Sequence, residues 1–279
     1  MIKKIILFVL IFPTIWVANL CAQNDYYDFE SFSQFSPINL IDKPTANILT
    51  EESERDEKPP KYFHLSLRVY NLGGMIGGIT VGLTRHLMFG VSYGGQNVIG
   101  EGNVEWNQSP GIQIRYKLIS ETYPFPPAIS IGYNSQGYGA YLPTEKRYEI
   151  KSTGLYLVAS KNYSNVMLNL GFHGGFNFSP ENKGGDKDLN IFMGAHLIME
   201  DELALIWEYD LATNDNDEHS LGSGKGYMNA AVRWLFANRL ILEFSVKNFL
   251  RNKKDPENTN GEAIPHSNRE LKIIYRQHL

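Results

Sequence analysis

The sequence predicts an all-β protein: a transmembrane antiparallel β-barrel of about 12 strands, preceded by a signal peptide and an irregular periplasmic segment. Three observations carry this prediction. From residue 62 onward, short segments alternate apolar and polar residues with a period of two, as strands do when one face meets an apolar medium. The connections alternate between short and long, and a membrane barrel needs this, with tight periplasmic turns and larger outer loops. The chain also opens with the charged, apolar, small-residue order of an export signal.

Lys3 and Lys4 precede an apolar run from Ile5 to Val17, and Leu20-Cys21-Ala22 offers a cleavage site after Ala22, so residues 1–22 read as a signal peptide. Pro13, and a run shorter than the ~18 residues of a spanning helix, argue against an uncleaved anchor. Leu20 stands where a lipoprotein site wants a small residue before its cysteine, so lipidation at Cys21 is not expected. Cleavage would remove the only cysteine, leaving no disulfide or thiol chemistry, and would take the formal net charge from −4 to −6. Such a mildly acidic chain has no basic stripe and no expected nucleic-acid partner. No later run reaches spanning-helix length, so hydropathy alone would class the mature chain as soluble. The 25 glycines and 13% aromatics suit close-packed strands and interfacial girdles instead.

Residues 23–61 are polar and irregular, an irregular periplasmic segment or plug. Glu51–Pro60 is a charged, proline-ended linker that cannot bury a core. Pro37–Ala46 is more apolar and could order against something. Composition leaves a flexible tail, a docked plug and an extra strand all open.

Residues 62–279 form the barrel. Tyr62–Tyr70 sets Phe63, Leu65, Leu67 and Val69 against His64, Ser66 and Arg68. Met75–Leu83 and Leu87–Gly95 are glycine-rich and join through Thr84–His86. Gly111–Ser120 sets Ile112, Ile114, Tyr116 and Leu118 against Gln113, Arg115 and Lys117. Pro127–Ser135, Ser152–Lys161, Asn165–Asn177 and Leu189–Ile198 keep the same period. Leu203–Leu211 sets Leu203, Leu205, Trp207 and Tyr209 against Glu208 and Asp210. Lys225–Leu235 sets Met228, Ala230, Val232 and Trp234 against Asn229 and Arg233. Arg239–Phe249 sets Leu240, Leu242, Phe244 and Val246 against Glu243, Ser245 and Lys247, and Arg269–Leu279 closes the chain. Its end, Leu279, is not the aromatic residue with which many such barrels finish.

Between these strands, Thr84–His86, Glu121–Pro126, Asn162–Ser164, Met199–Glu202 and Phe236–Asn238 are short. Gln96–Pro110, Gln136–Lys151, Phe178–Asp188, Ala212–Gly224 and Leu250–Asn268 are long and polar; only Asn71–Gly74 breaks the alternation. An even strand number returns both ends to the periplasmic side. The competing fold is a secreted β-sandwich or lipocalin-like barrel, but these put the apolar face inward and need not gather long loops at one end.

If the apolar faces meet lipid, the lumen receives His64, Arg68, Gln113, Arg115, Lys117, Lys161, Glu208, Asp210, Arg233, Glu243 and Lys247. Twelve strands lie between a barrel filled by side chains and a wide aqueous pore. The charges are therefore expected to pair, notably Glu208 with Arg233 and Arg233 with Glu243, or to line a polar conduit for an ion or a glycan strand.

No catalytic set, metal site or cofactor is expected. His64 and Ser66 share a face, a spacing used by twelve-stranded outer-membrane phospholipases, but they point to the lumen rather than to acyl chains and have no orienting third residue. His173, His196 and His219 lack ligand spacing. Asn214–Glu218 lacks the glycine and distant glutamate of a calcium loop and reads as a solvated outer loop. Gly222–Gly226 is no P-loop, since a strand follows.

Leu40–Ala46 near the mature start, then Gly111–Leu118, Pro127–Tyr133, Gln136–Tyr141 and Ala159–Tyr163, in this order along the chain, resemble the YjbH-like outer-membrane barrel family. Its larger members are much longer, so this chain would be a single-barrel relative. The resemblance implies an outer-membrane location and a link to exopolysaccharide production, and brings no catalytic residues. The expected partners are outer-membrane lipid, the barrel-assembly machinery and a polysaccharide, with the aromatic outer-loop residues Trp106, Tyr138 and Tyr141 suited to sugar faces. A lipid-modifying enzyme and a plugged structural or adhesive barrel are the alternatives.

Overall fold

The computed structural model describes residues 37–49, 62–143, 145–164, 168–181, 185–200, 202–236, 239–254 and 268–278. The expected signal peptide, the Glu51–Pro60 linker and Leu279 lie outside these residues. The strands in chain order are β1 (Tyr62–Tyr70), β2 (Gly74–Gly82), β3 (Leu87–Gln96), β4 (Glu105–Trp106), β5 (Gly111–Ile119), β6 (Ala128–Asn134), β7 (Tyr138–Leu142) and β8 (Arg147–Ile150). They continue as β9 (Gly154–Ser164), β10 (Leu168–Phe178), β11 (Asn190–Met199), β12 (Leu203–Asp210), β13 (Tyr227–Phe236), β14 (Leu240–Lys247) and β15 (Asn268–His278).

Twelve of these pair antiparallel, each with its neighbour in the barrel, and β1 pairs with β15 from Tyr62–His278 to Val69–Leu271, so the sheet closes on itself. Closure leaves no sheet edge, the condition for a β-structure to span a membrane. The small β4 extends β3 beyond the rim, and β7 and β8 form a separate hairpin in the outer connection after β6. Both were part of loops in the sequence reading. A register shift between Lys117 and Ile119 marks a bulge where β5 meets β6.

Side chains alternate around the wall as the period requires. The outward set is apolar and uncovered: Leu155 is 55% and Phe244 51% exposed, which only an acyl environment makes favourable. Aromatic pairs ring this belt near both rims. Phe63–Tyr275, Tyr163–Phe172 and Trp234–Phe236 lie toward the short turns, and Tyr93–Trp106 and Trp207–Tyr209 toward the long loops. Such paired girdles mark the two membrane interfaces.

The one short outer connection, after β1, has a neighbour folded against it. The Asn97 and Ile99 N–H groups donate to the Leu72 and Gly73 carbonyls, each at 3.0 Å. Gly73 has φ +60°, and a Cβ there would lie 1.8 Å from the Ile99 carbonyl oxygen, so this contact needs glycine. The other outer loops are laced together. Arg147 pairs with Asp215 at 2.7 Å, and Lys151 Nζ donates to the Asp186 and Asn214 carbonyls at 2.6 and 2.8 Å. Asn214 and Asp215 are consequently buried, correcting for these two the solvated loop expected there, whereas Asn216, Asp217 and Glu218 face water.

Candidate functional site: a lumen held shut by the chain itself

Residues 37–49 lie inside the barrel. They form a tight reversal in which Asn39 bridges Pro44, Leu40 N–H donates to Lys43 O at 2.9 Å and Thr45 N–H donates to Ile38 O at 3.2 Å. The tip of this plug, Leu40–Lys43, is where the barrel grips hardest. Leu40 and Ile41 enter an apolar floor made by Ile198, Ala204, Ile206, Ala231, Leu235 and Ile241. Gly194 leaves the wall bare beneath Leu40, whose Cδ1 would stand 2.5 Å from a Cβ there.

The tip's backbone is read by lumen side chains. Three successive amides, of Ile41, Asp42 and Lys43, donate to Glu208 Oε2 at 3.1, 2.8 and 2.7 Å. Such a nest of N–H groups is an anion site, and here the wall supplies the anion. Asn229 donates to the other Glu208 oxygen at 2.8 Å. The carbonyls are held from the other side. Arg233 donates to Leu40 O at 2.8 Å, Lys272 to Ile41 O at 2.9 Å, and the Tyr138 hydroxyl to Asp42 O.

The tip's charges are matched as well. Asp42 lies 2.7 Å from Lys247 and 3.1 Å from Arg68, Lys43 pairs with Asp210, and Lys247 also reaches Glu270 at 2.7 Å. The flanks have their own clamp. Arg115, fully buried, donates to Ile38 O, Asn47 O and Asn39 Oδ1 at 2.5, 2.6 and 2.7 Å, and to the Tyr156 hydroxyl at 2.9 Å. Ser130 donates to Ala46 O at 2.6 Å while Ala46 N–H donates to Ser160 at 2.7 Å.

Of the nine lumen charges singled out from the sequence, Arg68, Arg115, Glu208, Asp210, Arg233 and Lys247 contact the plug. Glu243 stands behind it, joining Arg233 to Lys272 at 2.7 Å. Lys117 is buried on the same face nearer the turns. Arg233 and Glu243 pair as expected, being direct cross-strand partners. Glu208 does not pair with Arg233, because the register sets Asn229 opposite Glu208 and Ala204 opposite Arg233, so the two charges sit at different heights.

Lys161 faces outward, since Tyr156, Val158 and Ser160 fix the inward parity of β9. It lies at the turn-side rim, 3.2 Å from Glu121, where a charge reaches the interface. Tyr138 is committed to the plug rather than offered to a sugar. Trp106 stacks on Tyr93 in the outer girdle, and Tyr141 packs on Tyr148.

The sequence reading missed Asp42, Lys43, Ser130, Ser160, Glu270 and Lys272 as site residues. It also missed a buried polar chain. Ser160 Oγ, His173, His196 and Asn169 are linked at 2.7, 2.9 and 3.3 Å, the histidines meeting diagonally across β10 and β11.

Asp42 belongs to the plug rather than to a spanning strand, and its titration reports on the latch. Burial alone would raise its carboxyl, but Lys247, Arg68 and Lys272 outweigh burial and hold it at about 2, below the ordinary 3.8. A lowered acid stabilises the docked state fully above its free value and loses that contribution as pH falls through its docked one. The plug should therefore stay seated at pH 7 and 5 and loosen between about pH 4 and 2. Conductance recorded across this range checks it, and opening already between pH 7 and 5 would show that Asp42 is not the titrating latch.

Beside the plug, against β1, β2 and β3, a cleft of about 160 Å³ remains. No protein-family model matches this sequence, and no curated protein matches it. Among solved structures, the fold is similar to that of the KdgM porin, with 9% identity over 77% of this chain and 98% of that chain and a TM-score of 0.43. It is similar to the Acinetobacter baumannii outer membrane protein Omp33, with 7% identity over 79% and 98% of the two chains and a TM-score of 0.44. A COG4313 outer membrane channel from Pseudomonas putida F1 aligns with 10% identity over 84% and 100%, at a TM-score of 0.39. These likenesses are of fold alone.

Proposed function

We propose that this chain is an outer-membrane conduit closed at rest by its own residues 37–49, and that its solute is an exported polysaccharide. The observation that carries the reading is the chemistry of the latch. The plug is held chiefly by ions and hydrogen bonds, to Glu208, Arg233, Lys247, Asp210 and Arg115, rather than by apolar packing alone. When such a plug leaves, water can replace nearly every contact, and the wall left behind is the polar one an aqueous channel needs. The reading involves no catalytic step. Outer-membrane lipid and the barrel-assembly machinery are its expected partners.

The polysaccharide is supported by the YjbH-like resemblance, and the residues that carry it gain a common place in the structure. Leu40–Ala46 lies within the plug; Ser130, Tyr138 and Ser160, from three of the other stretches, bond to it, and Arg115, from the fourth, bonds the plug's flanks at Ile38, Asn39 and Asn47.

A second reading, a permanently plugged structural barrel, rests on the same latch being too strong to open. Planar-bilayer recordings separate the two. The full chain should be closed with rare openings, and a variant lacking residues 37–49 should conduct continuously. A deletion variant that keeps the heat-modifiable migration of a folded barrel yet never conducts would defeat the conduit.

A further inference from the structure

The β7–β8 hairpin crosses the outer mouth of the barrel. It rises between β6 and β9, yet its Glu149 lies 3.2 Å from Lys253, in the connection between β14 and β15. Six strands separate these two connections whichever way round the barrel is followed, so the bridge joins opposite sides of the mouth. Gly139 makes room for it: at φ +77°, a Cβ there would lie 2.3 Å from a Glu149 carboxylate oxygen. Along the way, the Tyr141 hydroxyl donates to Gln108, before β5, at 2.9 Å, and the Tyr148 amide donates to Glu181, after β10, at 2.8 Å. Arg147 grips Asp215, after β12, through two hydrogen bonds of 2.7 and 2.8 Å, and both side chains are buried. Bidentate, charge-assisted pairs of this kind are the strong class of hydrogen bond. Beneath the hairpin, Tyr138 and Ile150 pack with Ala212 and Tyr227, and the Tyr138 hydroxyl donates to Asp42 O at the plug's tip. Of these ties only Tyr138's is to the plug; the others join one outer connection to another. None of them is with the short β1–β2 connection, on whose side the cleft beside the plug lies.

We propose that the β7–β8 hairpin is a lid, a second barrier in series with the plug, and that it sets the size of solute that passes. Departure of the plug breaks the Tyr138 tie alone, while Arg147 and Glu149 keep the hairpin across the mouth. Ions then pass on the β1–β2 side, where the hairpin's ties leave the mouth free. A bulky solute passes only when the hairpin swings away from Asp215 and Lys253. The sieving role rests on the conduit reading; the hairpin's place across the mouth does not.

The test is single-channel recording with neutral polyethylene glycols of graded length, where a polymer that enters lowers the conductance and an excluded one does not. Arg147→Gln alone should stay closed, because the plug is untouched. Glu208→Ala should conduct ions yet exclude all but the shortest polymers, and Glu208→Ala with Arg147→Gln should admit longer ones. Hydrogen–deuterium exchange on the full chain reads the lid without conduction. Arg147→Gln should speed the amides of Tyr138–Leu142 and Arg147–Ile150 by about ten- to a hundredfold, with the barrel ladders unchanged. Asp215→Asn, made on the other side of the same pair, should do likewise. Conduction by Arg147→Gln alone, an unchanged polymer limit in the double variant, or hairpin amides unmoved by both single substitutions would each overturn the lid. Folded Glu208→Ala barrels that stay silent with and without Arg147→Gln, their hairpin amides loosened, would instead remove the conduit and the sieve with it.

Discussion

Glu208→Ala is expected to turn the closed barrel into a conducting one. Glu208 is buried, and one of its oxygens accepts all three tip amides. Alanine leaves these donors, and the Asn229 amide on the other oxygen, facing a dry cavity. Each unsatisfied buried donor costs about 1–3 kcal/mol. Three of them together rival the ~5.5 kcal/mol that moves a two-state equilibrium from 1:99 to 99:1. The backbone recovers its hydrogen bonds only by meeting water, so the tip leaves the wall.

The barrel itself should persist, because the β11–β12 and β12–β13 ladders do not involve this carboxylate. Glu208→Gln should fall between wild type and alanine. Its amide oxygen can still receive the tip, but its NH2 then confronts the Asn229 NH2, and Asn229 cannot turn round because its oxygen already accepts the Asn248 N–H at 2.9 Å. Single-channel recording of the three proteins, each checked for heat-modifiable migration, decides the matter. A folded Glu208→Ala barrel that stays silent would show that the nest is not the latch.

Much of the wall was legible because a membrane barrel imposes its rules on every strand. The period of two, the excluded charge on the outward face and the alternation of loop lengths each repeat along the chain, so an error of a residue at one strand end does not spread. The β7–β8 hairpin escaped because its pattern is broken: the register shifts between Tyr138 and Tyr141, and Gly137 and Gly139 interrupt the alternation. Lys161 escaped for a different reason. Parity assigns a face, but at a strand's last turn the outward face is already at the headgroups, where lysine is permitted.

The latch was far less legible. Period tells which side chains enter the lumen, not what meets them there. The decisive pairs join positions remote in sequence, Asp42 with Lys247 across 205 residues and Ile41 with Glu208 across 167. Pairing Glu208 with Arg233 followed from neighbouring strands alone; a register offset of four residues between their opposite numbers separates them. The usable signal was the more apolar stretch Pro37–Ala46 within the polar residues 23–61, since Leu40 and Ile41 have no reason to be there unless something buries them.

Arg115→Lys is expected to loosen the plug's flanks without releasing its tip. The substitution keeps the charge but not the shape. Arginine's planar fork spreads its donors over four acceptors, the Tyr156 hydroxyl, Ile38 O, Asn47 O and Asn39 Oδ1. A lysine ammonium is a point donor that cannot reach both ends of that fork. Losing two of these bonds at about 1–2 kcal/mol each frees the flanking limbs by some tens- to a thousandfold in local opening.

The amides of Thr45 and Ala46, which pair with Ile38 O and Ser160, should exchange with deuterium correspondingly faster, while Ile41–Lys43 on Glu208 stay protected. Conductance should show brief partial openings rather than the sustained current of Glu208→Ala. Because both residues hold one short segment, the double variant should open no more than Glu208→Ala alone, a failure of additivity expected for sites sharing a partner. If Arg115→Lys instead conducts as fully as Glu208→Ala, with all plug amides exchanging together, the segment leaves as one rigid body and the tip is no separate latch.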